Sequence, residues 1–315
     1  MIGAEGGEMG SRITAGLLVV WGVGLLVATV AFALVPRAAA GRRVLDTFRS
    51  DLAPGGLRQI RGDYDVLAAA ADDLSATVLP QLAVDVARYP KLETGLARLP
   101  QLRSVTDRII ANLEHHAGDA SLAYGFPLGR LPLSLLAWAT PVIGVALVAL
   151  AERVLRAPGR GALIAAVAVA SAFVIVPLAL SLPRQLAHAD ALFTSLTPVD
   201  PAKIALRREL IGVGRDMVDD VEHRVLPDAA AAAGRPSEPF AREIASAHPA
   251  LGQGLAQADA ALDRFDALVS KSETRLADLR RIEGLPIALL PWLFIVPGTA
   301  VAASAITSVA RKPRP

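Results

Sequence analysis

Four stretches of the chain carry no charged residue: Ile13–Pro36, Leu131–Ala151, Gly161–Pro183 and Gly284–Ala310. Each is continuously apolar rather than alternating. Each also reaches the about 20 residues that a helix needs to cross a hydrocarbon core of roughly 30 Å. Backbone amides in lipid find no water to bond, so runs of this kind predict transmembrane helices and not barrel strands. The pattern divides the chain into an N-terminus (1–12), a first span (13–36), an outer segment (37–130), a second span (131–151) and a connector (152–160). A third span (161–183), a second outer segment (184–283), a fourth span (284–310) and a tail (311–315) follow. The first stretch has only Arg12 before it and exceeds the roughly 7–15 residues of a signal-peptide core, so it reads as an uncleaved helix, although Ala38–Ala40 would suit a cleavage site.

The outer segments predict helices. In the second, Leu255, Ala258, Leu262, Phe265, Val269, Ser272, Leu276 and Leu279 recur at heptad spacing, with no Gly or Pro from Leu255 to Glu283. This helix is expected to run nearly to the fourth span, where Gly284 and Pro286 allow a bend. A rougher series runs Leu92, Leu96, Leu99, Leu102, Val105, Ile109, Leu113. Earlier helices are expected over Ala39–Leu52, Leu57–Val86 and Pro201–Val225, ended or kinked at Pro80 and Pro227. The stripe Leu255, Leu262, Phe265, Val269, Leu276 and Leu279 is a packing or partner seam. Its burial inside the outer bundle is the expected arrangement.

The chain also predicts a tandem duplication of helix, outer segment, helix. Asp72-Asp73-Leu74-x-x-x-Val78-Leu79-Pro80 reappears as Asp219-Asp220-Val221-x-x-x-Val225-Leu226-Pro227. Pro90-x-Leu92-x-x-Gly95-Leu96-Ala97 reappears as Pro249-x-Leu251-x-x-Gly254-Leu255-Ala256, after an insertion that contains Ala229–Ala233 and Gly234. Both copies re-enter the membrane with Leu-Pro-x-x-Leu-Leu-x-Trp, Leu131 to Trp138 and Leu285 to Trp292. Two spans per copy imply parallel copies, with a pseudo-twofold axis along the membrane normal.

Charge sets the orientation. The connector holds Arg153, Arg156 and Arg160 against one acid, and the tail holds Arg311, Lys312 and Arg314 with none. Both are expected to be cytoplasmic, and with four spans so is the N-terminus. Arg37, Arg42 and Arg43 sit on the wrong side for this rule, but long segments cross largely regardless of charge. The two large segments then face outward from a plasma membrane.

Composition narrows the chemistry. Hydrophobic residues make up 53% and charged ones 20%, too apolar a balance for a water-soluble globule. The net charge of +2 offers no electrostatic footprint for nucleic acid. With no Cys, disulfides, thiolate metal sites and a cysteine nucleophile are excluded. Arg far outnumbers Lys and Ala is abundant, as GC-rich bacterial genes give. No ionisable residue lies in a span, which disfavours transport through a proton or ion relay and leaves a channel weakly supported. Small residues (Ala162, Ala166, Ala170; Gly298, Ala302) suit close helix packing, and Pro141, Pro177, Pro291 and Pro297 suggest kinks. Trp138 and Trp292 suit either an interfacial belt or packing between the copies.

Candidate chemistry is sparse. The acidic pairs Asp72, Asp73 and Asp219, Asp220 are too few for calcium, which takes six to eight oxygens, and read as a solvated helix face copied with the rest. Glu114-His115-His116 puts neighbouring side chains about 100° apart on a helix, a poor metal site. No catalytic or nucleotide-binding motif is present, so no enzyme activity, cofactor or metal is expected.

At Leu34-Val35-Pro36-Arg37 and the Pro-x-Leu-x-x-Gly-Leu segment, the chain resembles uncharacterised actinobacterial four-span envelope proteins, some associated with mammalian-cell-entry (Mce) lipid importers. The resemblance implies an accessory subunit of a lipid-uptake assembly and transfers no catalytic residue. The expected function is a non-enzymatic accessory or scaffold protein whose outer helices engage another envelope protein or a second copy. The alternative is a carrier with an apolar groove for a lipid or amphiphile.

Overall fold

In the computed structural model the described residues are 2–115, 118, 133–157, 159–196, 200–284 and 287–311. Among them every regular element is helical and there is no strand. His116, Leu131, Leu285, Pro286, Lys312 and Arg314 lie outside the described residues. The first half runs α1 (Ile2–Ala31), α2 (Leu34–Leu52), α3 (Pro54–Asp73), α4 (Pro90–His115) and α5 (Leu133–Arg156). The second runs α6 (Arg160–Ala179), α7 (Leu182–Leu196), α8 (Pro201–Asp220), α9 (Leu226–Ala232), α10 (Ser237–Ala247), α11 (Pro249–Thr274), α12 (Leu276–Ile282) and α13 (Trp292–Arg311). Four helical segments are long and apolar enough to cross a membrane: Met9–Ala31, Ala137–Arg156, Arg160–Ala179 and Ile287–Ala310.

Several boundaries differ from the sequence reading. The first span ends at Ala31 instead of Pro36: Ala33 turns left-handed (φ 46) and α2 starts at once. The third ends likewise, with Ser181 at φ 53 before α7. Pro36 and Pro183 therefore belong to the first turns of α2 and α7, where a missing N–H costs nothing. The long heptad helix breaks at Arg275, which takes φ −97° and ψ 5° while its Nε donates to Thr47 Oγ1 at 2.8 Å. No Gly or Pro marks that break in the sequence. The helix expected over Leu57–Val86 stops near Gln81, at the left-handed Ala83 (φ 50).

In both halves the helix bearing the acidic pair widens into a π turn directly after it, Leu74–Val78 and Val221–Val225. The amides of Leu79 and Leu226 bond the carbonyls of Leu74 and Val221, five residues back. Each π turn leads into a proline, Pro80 or Pro227, whose ring would press on the carbonyl four residues earlier. The wider turn relieves that clash, so the chain stays helical past each proline.

The chain forms two compact units. One comprises Met1–Asp46, Asp119–Pro198 and Asp278–Pro315; the other comprises Thr47–Gly118 and Val199–Ala277. The boundary falls inside the outer segments: α7 and most of α12 group with the spans.

In the span unit, α1 lies against α5 where two glycines meet. A Cβ on Gly22 would stand 2.7 Å from Gly144 O, and one on Gly144 would stand 2.8 Å from Gly22 O. On the other side, a Cβ on Gly298 of α13 would meet Ala170 O of α6 at 3.1 Å. Between these pairs α1 meets α13: Thr14 Oγ1 and Ser304 Oγ are 3.0 Å apart, and Trp21 Nε1 donates to Leu293 O at 2.9 Å. Small residues and interhelical hydrogen bonds hold helices where lipid offers no hydrophobic drive. Leu18, Leu25, Leu147, Leu163 and Val301 fill the core. The outward surface is apolar: Val20, Val27, Val142, Ile164, Ile175 and Val296 are all exposed. Trp138 and Trp292 are exposed too, at 58% and 46%, which suits an interfacial belt and not packing between the copies.

The second unit is a bundle of α3, α4, α8 and α11, in which helices from the two halves interleave: α11 packs on α3, and α8 on α4. Its core joins Leu74, Val78, Leu92 to Val221, Val225 and Leu251, with a smaller cluster of Ile60, Tyr64 and Ile110. The parts of the two outer segments that fall in this unit, Thr47–Gly118 and Val199–Ala277, thus make one helical body.

The stripe of α11 lies within this body. Leu262 and Val269 are buried, Leu255 packs against the main core and Phe265 against the smaller cluster. Leu276 is half-buried in α12, whereas Leu279, also buried, belongs to the span unit. Leu262→Asp should therefore cost about 3 kcal/mol or more through an unpaired buried carboxylate. Ala267→Asp, on the exposed side of α11, should leave stability within about 0.5 kcal/mol. Denaturation of the detergent-solubilised pair checks this; equal midpoints would contradict burial of the stripe. Lys271 is no neutral control, because its Nζ holds Asp51 Oδ2 at 2.7 Å.

Candidate functional site

The acidic pairs do not form a solvated face, and this corrects the sequence reading. Only the first member of each pair is exposed. Asp72 meets Arg103 at 2.5 Å, and Asp219 meets Lys91 at 3.0 Å. The hydrogen bond from Lys91 holds the Asp219 carboxyl below its ordinary range. The second member turns inward. Asp220 is fully buried; its Oδ2 accepts the Leu92 amide at 3.0 Å and its Oδ1 accepts Arg224 Nη1 at 3.0 Å. Asp73 accepts the Leu251 amide at 3.4 Å and lies 3.2 Å from His248 Nδ1.

These contacts give the repeated motifs a physical job. Leu92 and Leu251 each sit at the third position of a helix opened by Pro90 or Pro249, and the amide there has no intrahelical acceptor. A Ser, Thr or Asp just before the helix normally takes it. Here Tyr89 and His248 stand in that place and reach elsewhere. Tyr89 Oη donates to Asp228 Oδ2 at 2.8 Å, and His248 Nε2 lies 2.9 Å from Gln81 Oε1. The acid of one half caps the proline-led helix of the other, in both directions. Gly95 and Gly254, three residues on, admit close approach: a Cβ on Gly95 would stand 2.8 Å from Met217, and one on Gly254 would overlap Ala70. Asp73 and Asp220 are helix-docking residues.

Glu114 reaches Arg61 at 3.9 Å, and no cluster of His, Cys, Asp or Glu among the described residues could hold a metal ion.

A concave feature that lies wholly in the span unit is lined by residues to which the sequence reading gave no site role. A cavity of about 280 Å³ is walled by carbon atoms of α2, α5, α6, α7, the segment Ile287–Pro291 and the start of α13. Ile143 of α5, Phe173 and Pro177 of α6, Leu186 and Phe193 of α7, and Phe294 of α13 line it. Phe173 stacks on Phe294 with centroids 5.9 Å apart and meets Trp21 edge-on at 5.5 Å, so aromatic contacts back this wall. Thr140 and Arg37 are the polar residues in the lining. The lining residues come from the start of α5, the end of α6 and the start of α13. The cavity is therefore at the end of the spans opposite the Glu152–Arg160 connector. Asp190 Oδ1 accepts the Ile287 amide at 3.2 Å and ties α7 to the last segment of the wall.

No family model, curated protein or solved structure matches this chain.

Proposed function

We propose that this protein is a non-enzymatic, multi-pass protein of a bacterial plasma membrane that takes a hydrocarbon chain of an amphiphile into the span-unit cavity. It serves as an accessory component of lipid handling. The cavity is the observation that carries this reading. Its carbon wall has room for about twice the benzene-sized guest of a 150 Å³ apolar cavity. Water gains nothing there, whereas acyl chains surround the spans.

A partner-docking role for the outer bundle has less support. The large hydrophobic side chains exposed on the described surface all belong to the span unit, and the heptad stripe is spent inside the bundle. An interface built on aromatic and aliphatic anchors would need some of them on the bundle's outside. The span core, filled by Leu18, Leu25 and Leu147, offers no support for a channel.

The reciprocal Asp–amide caps, the paired π turns and the matching span ends are best read as the outcome of duplication of one helix–outer segment–helix unit. The arginines of the connector favour both termini in the cytoplasm and the bundle outside. An impermeant thiol reagent on intact cells should label Ala267→Cys and spare Ala157→Cys, both exposed positions. The opposite pattern would reverse the orientation.

The cavity is tested by retained lipid. Protein extracted in mild detergent and washed should keep about one lipid per chain by native mass spectrometry. Ala189→Phe and Ala137→Phe, which fill the cavity from different walls, should lose most of it while melting near the wild type. Unchanged retention in both folded variants would remove this function.

A further inference from the structure

The cavity's chemistry points further, to which amphiphile it holds; this inference rests on the chain-binding proposed above. We propose that Arg37 makes the site selective for amphiphiles with an anionic headgroup, a phosphate or carboxylate of a lipid from the surrounding leaflet. Among the described residues Arg37 is the one ionisable residue in the lining. It is half-buried in the first turn of α2, and among the described residues no acid or carbonyl partners its guanidinium. Its neighbours on the same helix are committed: Arg42 Nε lies 3.4 Å from Asp46, and Arg43 Nη2 lies 2.6 Å from the buried Asp278. Arg184, at the matching place in the second half, is exposed and outside the lining.

The geometry divides an amphiphile as its chemistry requires. The carbon wall takes the chain. Arg37 stands in the first turn of α2, six residues after the first span ends at Ala31 and so near the level of headgroups, and a guanidinium binds phosphate or carboxylate with two parallel hydrogen bonds. A long arginine stem can lie along an apolar wall while its head seeks a polar partner. In the proposed orientation Arg37 is also on the outer side, where arginine beside a span is disfavoured. Recognition of an anion supplies a reason for an unpaired one there.

The test uses the full chain in nanodiscs of equal phosphatidylglycerol and phosphatidylcholine with identical acyl chains, followed by extraction, washing and mass spectrometry. Wild type should retain phosphatidylglycerol about fivefold over phosphatidylcholine, the size of one arginine's attraction to anionic lipid at a membrane surface. Arg37→Gln should retain as much lipid in total but at the bulk ratio. Arg37→Lys should keep a reduced preference, and Arg42→Gln should match wild type. A melting curve confirms that each variant is folded; if Arg37→Gln fails it, Arg37→Lys decides, a preference below wild type supporting the headgroup assignment and an unchanged wild-type ratio overturning it. Equal enrichment in wild type and Arg37→Gln would overturn the headgroup assignment and leave chain-binding standing. Retention unaffected by Ala189→Phe and Ala137→Phe would instead defeat chain-binding itself.

Discussion

Replacing Asp220 by Ala should destabilise the outer bundle by about 2–4 kcal/mol, read as a lowered denaturation midpoint of the full-length protein in detergent. The carboxylate is fully buried and accepts both the Leu92 amide and Arg224. Its removal leaves a buried N–H at a helix start without an acceptor, a cost of about 1–3 kcal/mol, and strips Arg224 of its partner as well. Asp220→Asn keeps an acceptor for Leu92 and should cost about half as much. Asp73→Ala should cost less than Asp220→Ala, since the Leu92 bond is 3.0 Å and the Leu251 bond 3.4 Å. Asp219→Ala, at the exposed neighbour, should leave the transition in place. If Asp219→Ala and Asp220→Ala behaved alike, the capping role would be lost and the solvated-face reading restored.

The second large effect is at Gly254. A glycine in a helix is ordinarily improved by Ala, by about 0.8–1.0 kcal/mol, because alanine has less backbone freedom to lose. Gly212 in α8, with open space around it, should follow that rule on Gly212→Ala. Gly254→Ala should go the other way, by about 1–3 kcal/mol, because its Cβ would overlap that of Ala70 and force α11 away from α3. Ala70→Gly in the same chain should restore most of the loss, giving a coupling of at least about 1 kcal/mol in a double-mutant cycle. A stabilised Gly254→Ala, or a double variant no better than the single, would contradict the interleaved packing.

The spans and the all-helical class were legible in the sequence because a charge-free run of membrane length has few other outcomes. The helix expected from Pro201 does start there, capped by Asp200, whose Oδ1 accepts the Ala202 amide at 2.9 Å. The repeated Asp-Asp and Pro-x-Leu-x-x-Gly motifs were visible, but their purpose was not. Capping in trans leaves no local signature, since the acceptor lies far from the donor in sequence, 128 residues for Asp220 and Leu92. The π turns were hidden for a related reason: a proline inside a helical pattern predicts a kink or an end, and the wider turn that accommodates it depends on the surrounding packing. The break at Arg275 has no Gly or Pro to announce it. The cavity was the least legible feature, because an apolar lining residue such as Leu186 or Phe294 looks like any core residue. One signal was available. Arg37 follows a span on the side that charge disfavours, and no acid lies three or four residues from it to serve as a helical partner.

The cavity at the ends of α5, α6 and α13 away from the Glu152–Arg160 connector is proposed to hold a lipid chain. The most direct measurement is photo-crosslinking with a phospholipid carrying a diazirine in its acyl chain. The protein is extracted and washed before illumination, so that only retained lipid reacts, and the adducts are mapped by peptide mass spectrometry. The account predicts adducts concentrated at Phe173–Pro177 and Leu290–Phe294, lost in Ala189→Phe and Ala137→Phe. Adducts confined to outward residues of the same helices, such as Val142, Val145 and Val296, and unchanged in the filled variants, would contradict it.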